Sequence, residues 1–97
     1  MPTYLIMSRW TQQGAQSIKE SPARLDAAKQ AAKAAGGEIK AFYLLMGQYD
    51  FAVVTEAPND EAIARILLAI GSQGNVRTET LKAFTEDEYR KIVASLP

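Results

Sequence analysis

The chain of 97 residues contains no cysteine and no histidine. Without cysteine there are no disulfides, thiol nucleophiles or thiolate zinc sites, and without histidine there is no imidazole acid–base catalysis. Haem ligation through either residue is excluded as well. The adjacent acid pairs Asp60-Glu61 and Asp87-Glu88 stand at predicted helix starts, where the helix dipole favours them. We therefore expect neither a metal site nor a cofactor.

The chain also lacks net charge and long apolar runs. Eleven basic and eleven acidic residues cancel, so no global field would attract nucleic acid or an anionic membrane. No apolar run approaches the ~18 residues of a membrane span. The segment Met1–Tyr4 lacks the basic start and long apolar stretch of a signal peptide. These features predict a cytoplasmic protein whose partners are neither nucleic acid nor membrane.

The composition that is present is ordinary for a soluble globular protein. Hydrophobic residues make up 47% of the chain and charged residues 23%. This length supports one hydrophobic core of modest size, and no linker or internal repeat divides it. We expect a single domain over residues 1–97.

The first third of the chain predicts a strand followed by a helix. Residues Thr3–Trp10 are rich in β-forming side chains, and the polar stretch Thr11–Glu20 reads as a loop with a helical turn. Ser21-Pro22 starts the helix, with Ser21 as the N-cap, and Gly36-Gly37 ends it. The predicted apolar face of this helix is rich in alanine and consists of Leu25, Ala28, Ala32 and Ala35.

The middle of the chain predicts a β-hairpin. The tetrapeptide Gly47–Asp50 lies between two apolar runs, Glu38–Met46 and Phe51–Ala57. Glycine permits positive φ and aspartate bonds nearby backbone groups, so the tetrapeptide predicts a tight reversal between two strands.

The last part of the chain predicts a helix, a strand and a short final helix. Asn59 caps a helix whose core-facing stripe is Ile63, Ile66, Leu67 and Ile70, ended by Gly71–Gly74. A strand follows over Asn75–Phe84. The capping box Thr85–Glu88 opens the final helix, which we expect to bury Tyr89, Ile92, Val93 and Leu96.

This order of elements, βαββαβ plus a C-terminal helix, is that of the α+β ferredoxin-like sandwich. Its two repeat helices cover one face of the sheet, yet the first three strands are apolar on both faces. An exposed apolar face of this kind marks an interface. We therefore expect a homodimer or higher homo-oligomer that packs sheet against sheet, as in dimeric α/β barrels.

Four short motifs resemble the GYD domain family of small bacterial and archaeal proteins, over nearly the whole chain. The motifs are Arg9-Trp10-Thr11-x-x-Gly14, Ser21-Pro22-x-Arg24, Gly47-x-Tyr49-Asp50 and Gly74-Asn75-Val76-Arg77-Thr78-Glu79-Thr80-Leu81. Each is weak alone, but four in order at the right spacing are specific. The resemblance implies the dimeric α/β barrel fold and no particular activity.

The Gly-x-Tyr-Asp hairpin is also similar to that of Lrp/AsnC-type ligand-binding domains. The resemblance implies the same fold and amino-acid sensing at subunit interfaces. No helix-turn-helix segment precedes the first strand, so a ligand-binding module without the DNA-binding half is one interpretation.

Seven polar residues are the candidate ligand-binding groups: Arg9, Arg24, Tyr43, Tyr49, Asp50, Arg77 and Glu79. Each has a structural alternative. Asp50 is either a turn residue bonding backbone N–H groups or a partly buried carboxylate in a site. Arg77 and Glu79, two apart on a strand, point the same way and form either an ion pair or an arginine that binds a ligand carboxylate.

The remaining candidates have similar pairs of interpretations. Tyr49 and Tyr43 are either packing residues or groups that present a hydroxyl to a ligand. Arg24 either serves the helix start or lies near a cavity with Arg9.

Three functions fit these features. The first is a dimeric module that binds or senses a small anionic or amphipathic metabolite. The second is a cofactor-independent enzyme, monooxygenase- or isomerase-like, whose acid–base group would be Asp50, Glu79, Tyr43 or Tyr49. The third is an oligomerisation protein. A well-formed, polar-lined cavity would favour either of the first two.

Overall fold

The computed structural model describes all residues from Met1 to Pro97, which form four strands and four α-helices. Their bounds are β1 Thr3–Trp10, α1 Gln12–Gln16, α2 Ser21–Ala34, β2 Glu38–Leu44, β3 Phe51–Glu56, α3 Asp60–Ser72, β4 Val76–Ala83 and α4 Glu86–Ala94. A 3₁₀ turn, Ile18–Glu20, joins α1 to α2. No helix is both long and apolar enough to cross a bilayer.

The four strands form one antiparallel sheet in the order β2-β3-β1-β4. With α2 and α3 in the crossovers, this is the ferredoxin-like α+β fold predicted from the element order, with the predicted C-terminal helix added. Side chains alternate along β1, so Tyr4, Ile6 and Ser8 are buried on the side covered by the helices. The other side of the sheet is called the outer face below.

The core lies between the sheet and the two repeat helices. Its buried residues are Tyr4, Ile6, Ala32, Val53, Ala57, Ala62, Ile63 and Ile66. The predicted apolar stripe of α3 is confirmed, because Leu67 and Ile70 pack against this cluster as well. The alanine face of α2 also points inward, with Ala32 fully buried. Alanine contributes little volume there, which leaves room between helix and sheet.

The start of α2 and the hairpin differ from their predicted forms. Ser21 is the first helical residue rather than the N-cap, because the 3₁₀ turn before it already leads the chain into helical geometry. Residues 45–50, not a tight four-residue turn, connect β2 to β3. Gly47 has φ of 141°, a conformation that L side chains rarely adopt, so the predicted need for glycine is confirmed.

A bulge in β2 corrects the predicted faces of that strand. Ile39 pairs with Thr55 and Phe42 with Val53, and the register shifts between them. The extra residue puts Ile39 on the same side as Phe42, where strict alternation predicts opposite sides. Ile39 therefore faces the helices and not the outer face.

Helix α4 does not bury its apolar face, and that prediction was wrong. Tyr89, Ile92, Val93 and Leu96 are 45–63% exposed. The helix follows β4, which is an edge strand, and the molecule is elongated, with a longest dimension of 52 Å. The periodicity identified an apolar face correctly but held no information on what covers it. The capping box of Thr85 and Glu88 is confirmed.

The outer face of the sheet has no helix over it. Tyr43 is 59% exposed and Leu81 45% exposed on this side, with Leu5 and Met7 partly buried between them. The outer face and α4 are thus two apolar surfaces that the monomer leaves uncovered.

Candidate functional site

A cavity of about 300 Å³ lies between the sheet and helices α2 and α3. Most of its lining is apolar: alanines of α2 such as Ala28 and Ala31 face Ile63 and Ile66 of α3 and the inner side chains of the sheet. The volume is at the lower end of the range for small-molecule sites, and an apolar lining with few polar groups is typical of them.

Aromatic side chains form one wall of the cavity. The Trp10 and Phe51 ring centroids are 5.2 Å apart, and those of Phe42 and Phe51 are also 5.2 Å apart. All three residues line the cavity. Trp10 is the only tryptophan of the chain, so tryptophan fluorescence reports on this cavity.

Two buried hydroxyls in the cavity lining have no hydrogen-bond partner. Ser8 is 1% exposed and Thr55 2% exposed, and neither side-chain oxygen is bonded within the chain. A buried polar group without a partner is costly, which makes such groups rare in folded proteins. These two hydroxyls are the buried, unpartnered polar groups that the cavity offers to a ligand.

Arg24 is the only charged residue that lines the cavity. Its guanidinium donates hydrogen bonds to the backbone and side-chain oxygens of Ser17, both at 3.1 Å, and to the Gly14 carbonyl at 3.3 Å. These bonds fix the start of α2 against the segment that follows β1. Of the seven predicted ligand-binding residues, Arg24 is the one that lies at this cavity.

The segment after β1 is held by the chain just before β4. Thr11 donates from its hydroxyl to the Gly74 carbonyl at 2.6 Å and accepts from the N–H of Gly14 at 3.1 Å. A Cβ on Gly14 would lie 2.0 Å from the Asn75 carbonyl oxygen, so only glycine fits there. The first and last sequence motifs therefore pack against each other and close one end of the cavity.

Arg9, Tyr49 and Glu79 form a connected group on the outer face, away from the cavity. The Tyr49 hydroxyl donates to Glu79 at 2.5 Å, and the Arg9 guanidinium lies 5.1 Å from the centre of the Tyr49 ring. Arg9 also donates to the Gln48 carbonyl at 2.7 Å. The hydrogen bond to Glu79 raises the pKa of Tyr49. This group fastens the β2–β3 connection to β4.

Tyr43 and Arg77 are two more of the predicted residues, and both lie on the outer face. Tyr43 pairs with Ala52, and Arg77 lies directly opposite Arg9 in the β1–β4 pair. Arg77 and Glu79 point the same way, as their spacing predicts, but the partner of Glu79 is Tyr49. A ligand role of these outer-face residues stays a prediction.

Asp50 bonds backbone groups of β1. Its carboxylate accepts from the Trp10 N–H at 2.9 Å, and its own N–H donates to the Ser8 carbonyl at 2.9 Å. Its carbonyl accepts from the Leu45 N–H at 2.8 Å. Asp50 thus positions the end of β1, from which Ser8 and Trp10 reach the cavity.

Sequence reasoning missed Ser8, Thr55 and the role of Trp10 in the cavity. The signal was present in the alternation of each strand. Ser8 continues the inward series of Tyr4 and Ile6, and Thr55 continues that of Val53. A hydroxyl in an otherwise apolar inward series indicates either a buried hydrogen bond or a site.

The buried Tyr4 forms a polar group with two exposed charged side chains at the opposite end of β1. The Tyr4 hydroxyl donates to Asp60 at 2.5 Å, and Lys82 lies 3.5 Å from the same carboxylate. Burial, followed by the hydrogen bond to Asp60, raises the pKa of Tyr4 to about 12. The hydrogen bond from Tyr4 and the charge of Lys82 lower the pKa of Asp60. This group fixes the start of α3 to the sheet.

Comparison with solved structures finds proteins of the same fold. A feast or famine regulatory protein from M. tuberculosis, complexed with L-methionine, is similar with a TM-score of 0.67 at 15% identity, over 88% of this chain and 51% of that one. The leucine response regulatory protein of Mycobacterium tuberculosis is similar with a TM-score of 0.57 at 15% identity, over 87% of this chain and 51% of that one. The chain spans about half the length of these two regulators. At this identity the likeness shows the fold alone.

Comparison of sequences places the family. A protein of Thermus thermophilus, named glutamine synthetase and cystathionine beta-lyase binding protein, is 36% identical over 84 residues. The match covers 86% of this chain and 88% of that protein. The GYD domain family matches residues 4–93. The chain belongs to the GYD domain family.

Proposed function

We propose that this protein is a dimeric binding module that holds a small amphipathic molecule in the cavity between its sheet and helices. The observation that carries the proposal is the pair of buried, unpartnered hydroxyls of Ser8 and Thr55 in a cavity whose lining is mostly apolar. A cavity that results only from loose packing gains nothing from buried polar groups without partners, because each such group lowers the stability of the fold. Polar groups of this kind orient a ligand in small-molecule sites.

The lining favours binding over catalysis. It contains no carboxylate, lysine or tyrosine, and its one charged group, Arg24, acts as a hydrogen-bond donor only. General acid–base catalysis needs a group that exchanges a proton with the substrate. The Tyr49–Glu79 pair would be such a group, but it lies on the outer face.

The exposed apolar residues on the outer face of the sheet support the proposed dimer. Tyr43 and Leu81 are exposed there among partly buried apolar neighbours, and the chain has no further helix that covers them. Packing of two such faces would remove both from water. A cytoplasmic location accompanies this proposal as a prediction.

Native mass spectrometry of the purified protein, before and after mild denaturation, tests both parts. The expected result is a dimer with a small mass that is released when the protein unfolds. A clean dimer without added mass, which also fails to take up any of a panel of small amphipathic molecules, would contradict the binding function. A monomer at micromolar concentration would contradict the dimer.

A protein-binding function is the second candidate, and helix α4 is the observation that favours it. Its apolar residues Tyr89, Ile92 and Val93 are exposed. The Thermus relative is named for binding two enzymes. Co-sedimentation of the purified chain with purified glutamine synthetase from the same source tests it, with I92K as the variant that removes the apolar face. Equal sedimentation of wild type and I92K with the enzyme would exclude α4 from the contact.

A further inference from the structure

We infer that the ligand of the cavity is a small monocarboxylate, with its carboxylate at Arg24 and Ser8 and its apolar body between α2, α3 and the sheet. The inference rests on the proposed binding function and names the ligand class. Three properties of the lining lead to it: most of its polar side chains lie at one end, its only charged group is positive, and its volume is small.

The polar side chains of the lining lie mainly at one end, which we call the polar end. It is formed where β1 ends, α2 begins, α3 ends and β4 begins, and its polar residues are Ser8, Ser21, Arg24, Gln73, Asn75 and Thr78. The rest of the lining is apolar except for Thr55. A ligand that satisfies this distribution has one polar head and an apolar body.

The polar end is electropositive. Arg24 is its only charged residue, and α2, a helix of 14 residues, begins here with no acidic residue in its first turn. Glu20, at the N-cap position, is exposed, lies outside the lining and makes no side-chain cap. The positive end of the helix dipole therefore adds to the charge of Arg24. One guanidinium balances one negative charge, so the polar end favours a carboxylate over a phosphate dianion.

Arg24 is held in place and still has donors to offer. Its three hydrogen bonds go to Ser17 and Gly14, and a guanidinium has five N–H groups, so at least two are left for a ligand. The Ser8 hydroxyl, 1% exposed and unpartnered, is a further donor at the same end. In the inferred complex, both would donate to the carboxylate of the ligand.

The volume sets the size of the body. A cavity of about 300 Å³ is at the lower end of the range for small-molecule sites, so it favours a compact ligand. An eight-carbon acid such as octanoate is a compact molecule with one polar head and an apolar body. The apolar body would contact the alanine face of α2, where Ala28 and Ala31 leave the room that it needs.

The test titrates octanoate, octanol and octylamine, which share one chain and differ in the head group. The fluorescence of Trp10 reports on the cavity, because it is the only tryptophan and lies in the lining. Octanoate should give a saturable change and bind about tenfold to a hundredfold more tightly than octanol, since a hydrogen bond to a charged group contributes more than one between neutral groups. Octylamine should bind more weakly than octanol.

Two pairs of variants locate the binding. A28L fills the cavity and should abolish octanoate binding, whereas A34L makes the same change at an exposed position of α2 and should not. R24Q should reduce the preference for octanoate over octanol about tenfold, and R24K should retain most of it. Circular dichroism checks that each variant is folded.

The outcomes separate this inference from the proposed function. Equal affinity for octanoate and octanol, lost in A28L, overturns the carboxylate assignment and leaves the binding function standing. Tighter binding of octylamine overturns it as well. If A28L and A34L bind octanoate equally well, the ligand lies outside the cavity, and the inference is overturned. No saturable binding by any of the three compounds overturns both the inference and the cavity as a binding site.

Discussion

The carboxylate of Asp50 accepts a hydrogen bond of 2.9 Å from the backbone N–H of Trp10. The N–H of Asp50 donates to the Ser8 carbonyl on the same strand, so one residue of the β2–β3 connection holds two positions of β1. Because both Ser8 and Trp10 line the cavity, the aspartate of the Gly-x-Tyr-Asp motif shapes the cavity without entering it.

Replacing Asp50 by alanine should destabilise the protein. The partly buried N–H of Trp10 would lose its charged acceptor, and we expect the free energy of unfolding to fall by about 1–2 kcal/mol. D50N keeps an acceptor oxygen and should lose less. Urea denaturation measures the change. D26A, at an exposed aspartate of α2, is the control, and a D50A loss no larger than that of D26A would show that the bond contributes nothing.

Replacing Gly14 by alanine should disrupt the packing between the segment after β1 and the chain before β4. The new Cβ would lie 2.0 Å from a backbone oxygen of Asn75, so the two segments must separate, at a cost of about 1–3 kcal/mol. Gly71 has no atom within 4 Å of an added Cβ and lies in α3, so G71A should stabilise by up to about 1 kcal/mol. Thermal unfolding should therefore move in opposite directions in the two variants. Equal shifts would contradict the close approach.

The Tyr4–Asp60 pair should make stability fall at both extremes of pH. The pKa of Tyr4 in the folded state is raised from 10.0 to about 12, so its contribution is complete below pH 10 and is lost as the pH rises to about 12. The lowered pKa of Asp60 gives a contribution that is present above pH 3.8 and is lost as the pH falls through its folded-state pKa.

Urea denaturation at a series of pH values measures this dependence. Y4F removes the hydroxyl, so the difference between wild type and Y4F should shrink between pH 10 and about 12. Y89F, at an exposed tyrosine, is the matched control and should follow the wild type throughout. A wild-type-to-Y4F difference that stays constant up to pH 12 would contradict the raised pKa of Tyr4.

A charge on the outer face should break the dimer. L81K places a lysine on an apolar surface that would be buried between two sheets, where an unpaired charge is strongly unfavourable. L68K makes the same change at a leucine of α3 that is 75% exposed and lies outside the cavity. Sedimentation velocity should show monomers for L81K and dimers for L68K. Dimers of unchanged affinity in L81K would place the interface elsewhere, with α4 as the next surface to test.

The sequence predicts the fold because local signals agree with one another. The apolar stripe of α3, the capping box of α4 and Gly47 each specify geometry within a few residues, and each is confirmed. The bulge near Ile39 and the exposed face of α4 were not predicted. Both depend on relations between distant parts of the chain or between chains, which periodicity does not encode.

The candidate site is less predictable than the fold. Arg24 is a predicted ligand-binding residue near a helix start, and in the structure it lines the cavity. The other six predicted ligand-binding residues all lie outside the cavity lining. Ser8 and Thr55 are small and common residues, and only their burial without a partner makes them notable. That property depends on the volume that the alanines of α2 leave empty.

Replacing Thr55 by valine should stabilise the protein and weaken ligand retention. The hydroxyl is 2% exposed and unpartnered, so it costs free energy in the unliganded fold, and valine has nearly the same shape without that cost. We expect the free energy of unfolding to rise by about 1 kcal/mol in T55V, and to change little in T80V, at an exposed threonine of β4. A loss of stability in T55V would show that the hydroxyl has a partner.

Native mass spectrometry of the same two variants separates binding from packing. If the Thr55 hydroxyl contacts the ligand, T55V should carry less of the small bound mass than the wild type does. T80V should carry as much of it as the wild type. Packing alone would favour valine at position 55, since it removes an unsatisfied group from the core. A variant that is more stable and binds less would therefore show that this polar atom in the cavity wall serves the ligand, at the expense of the unliganded fold.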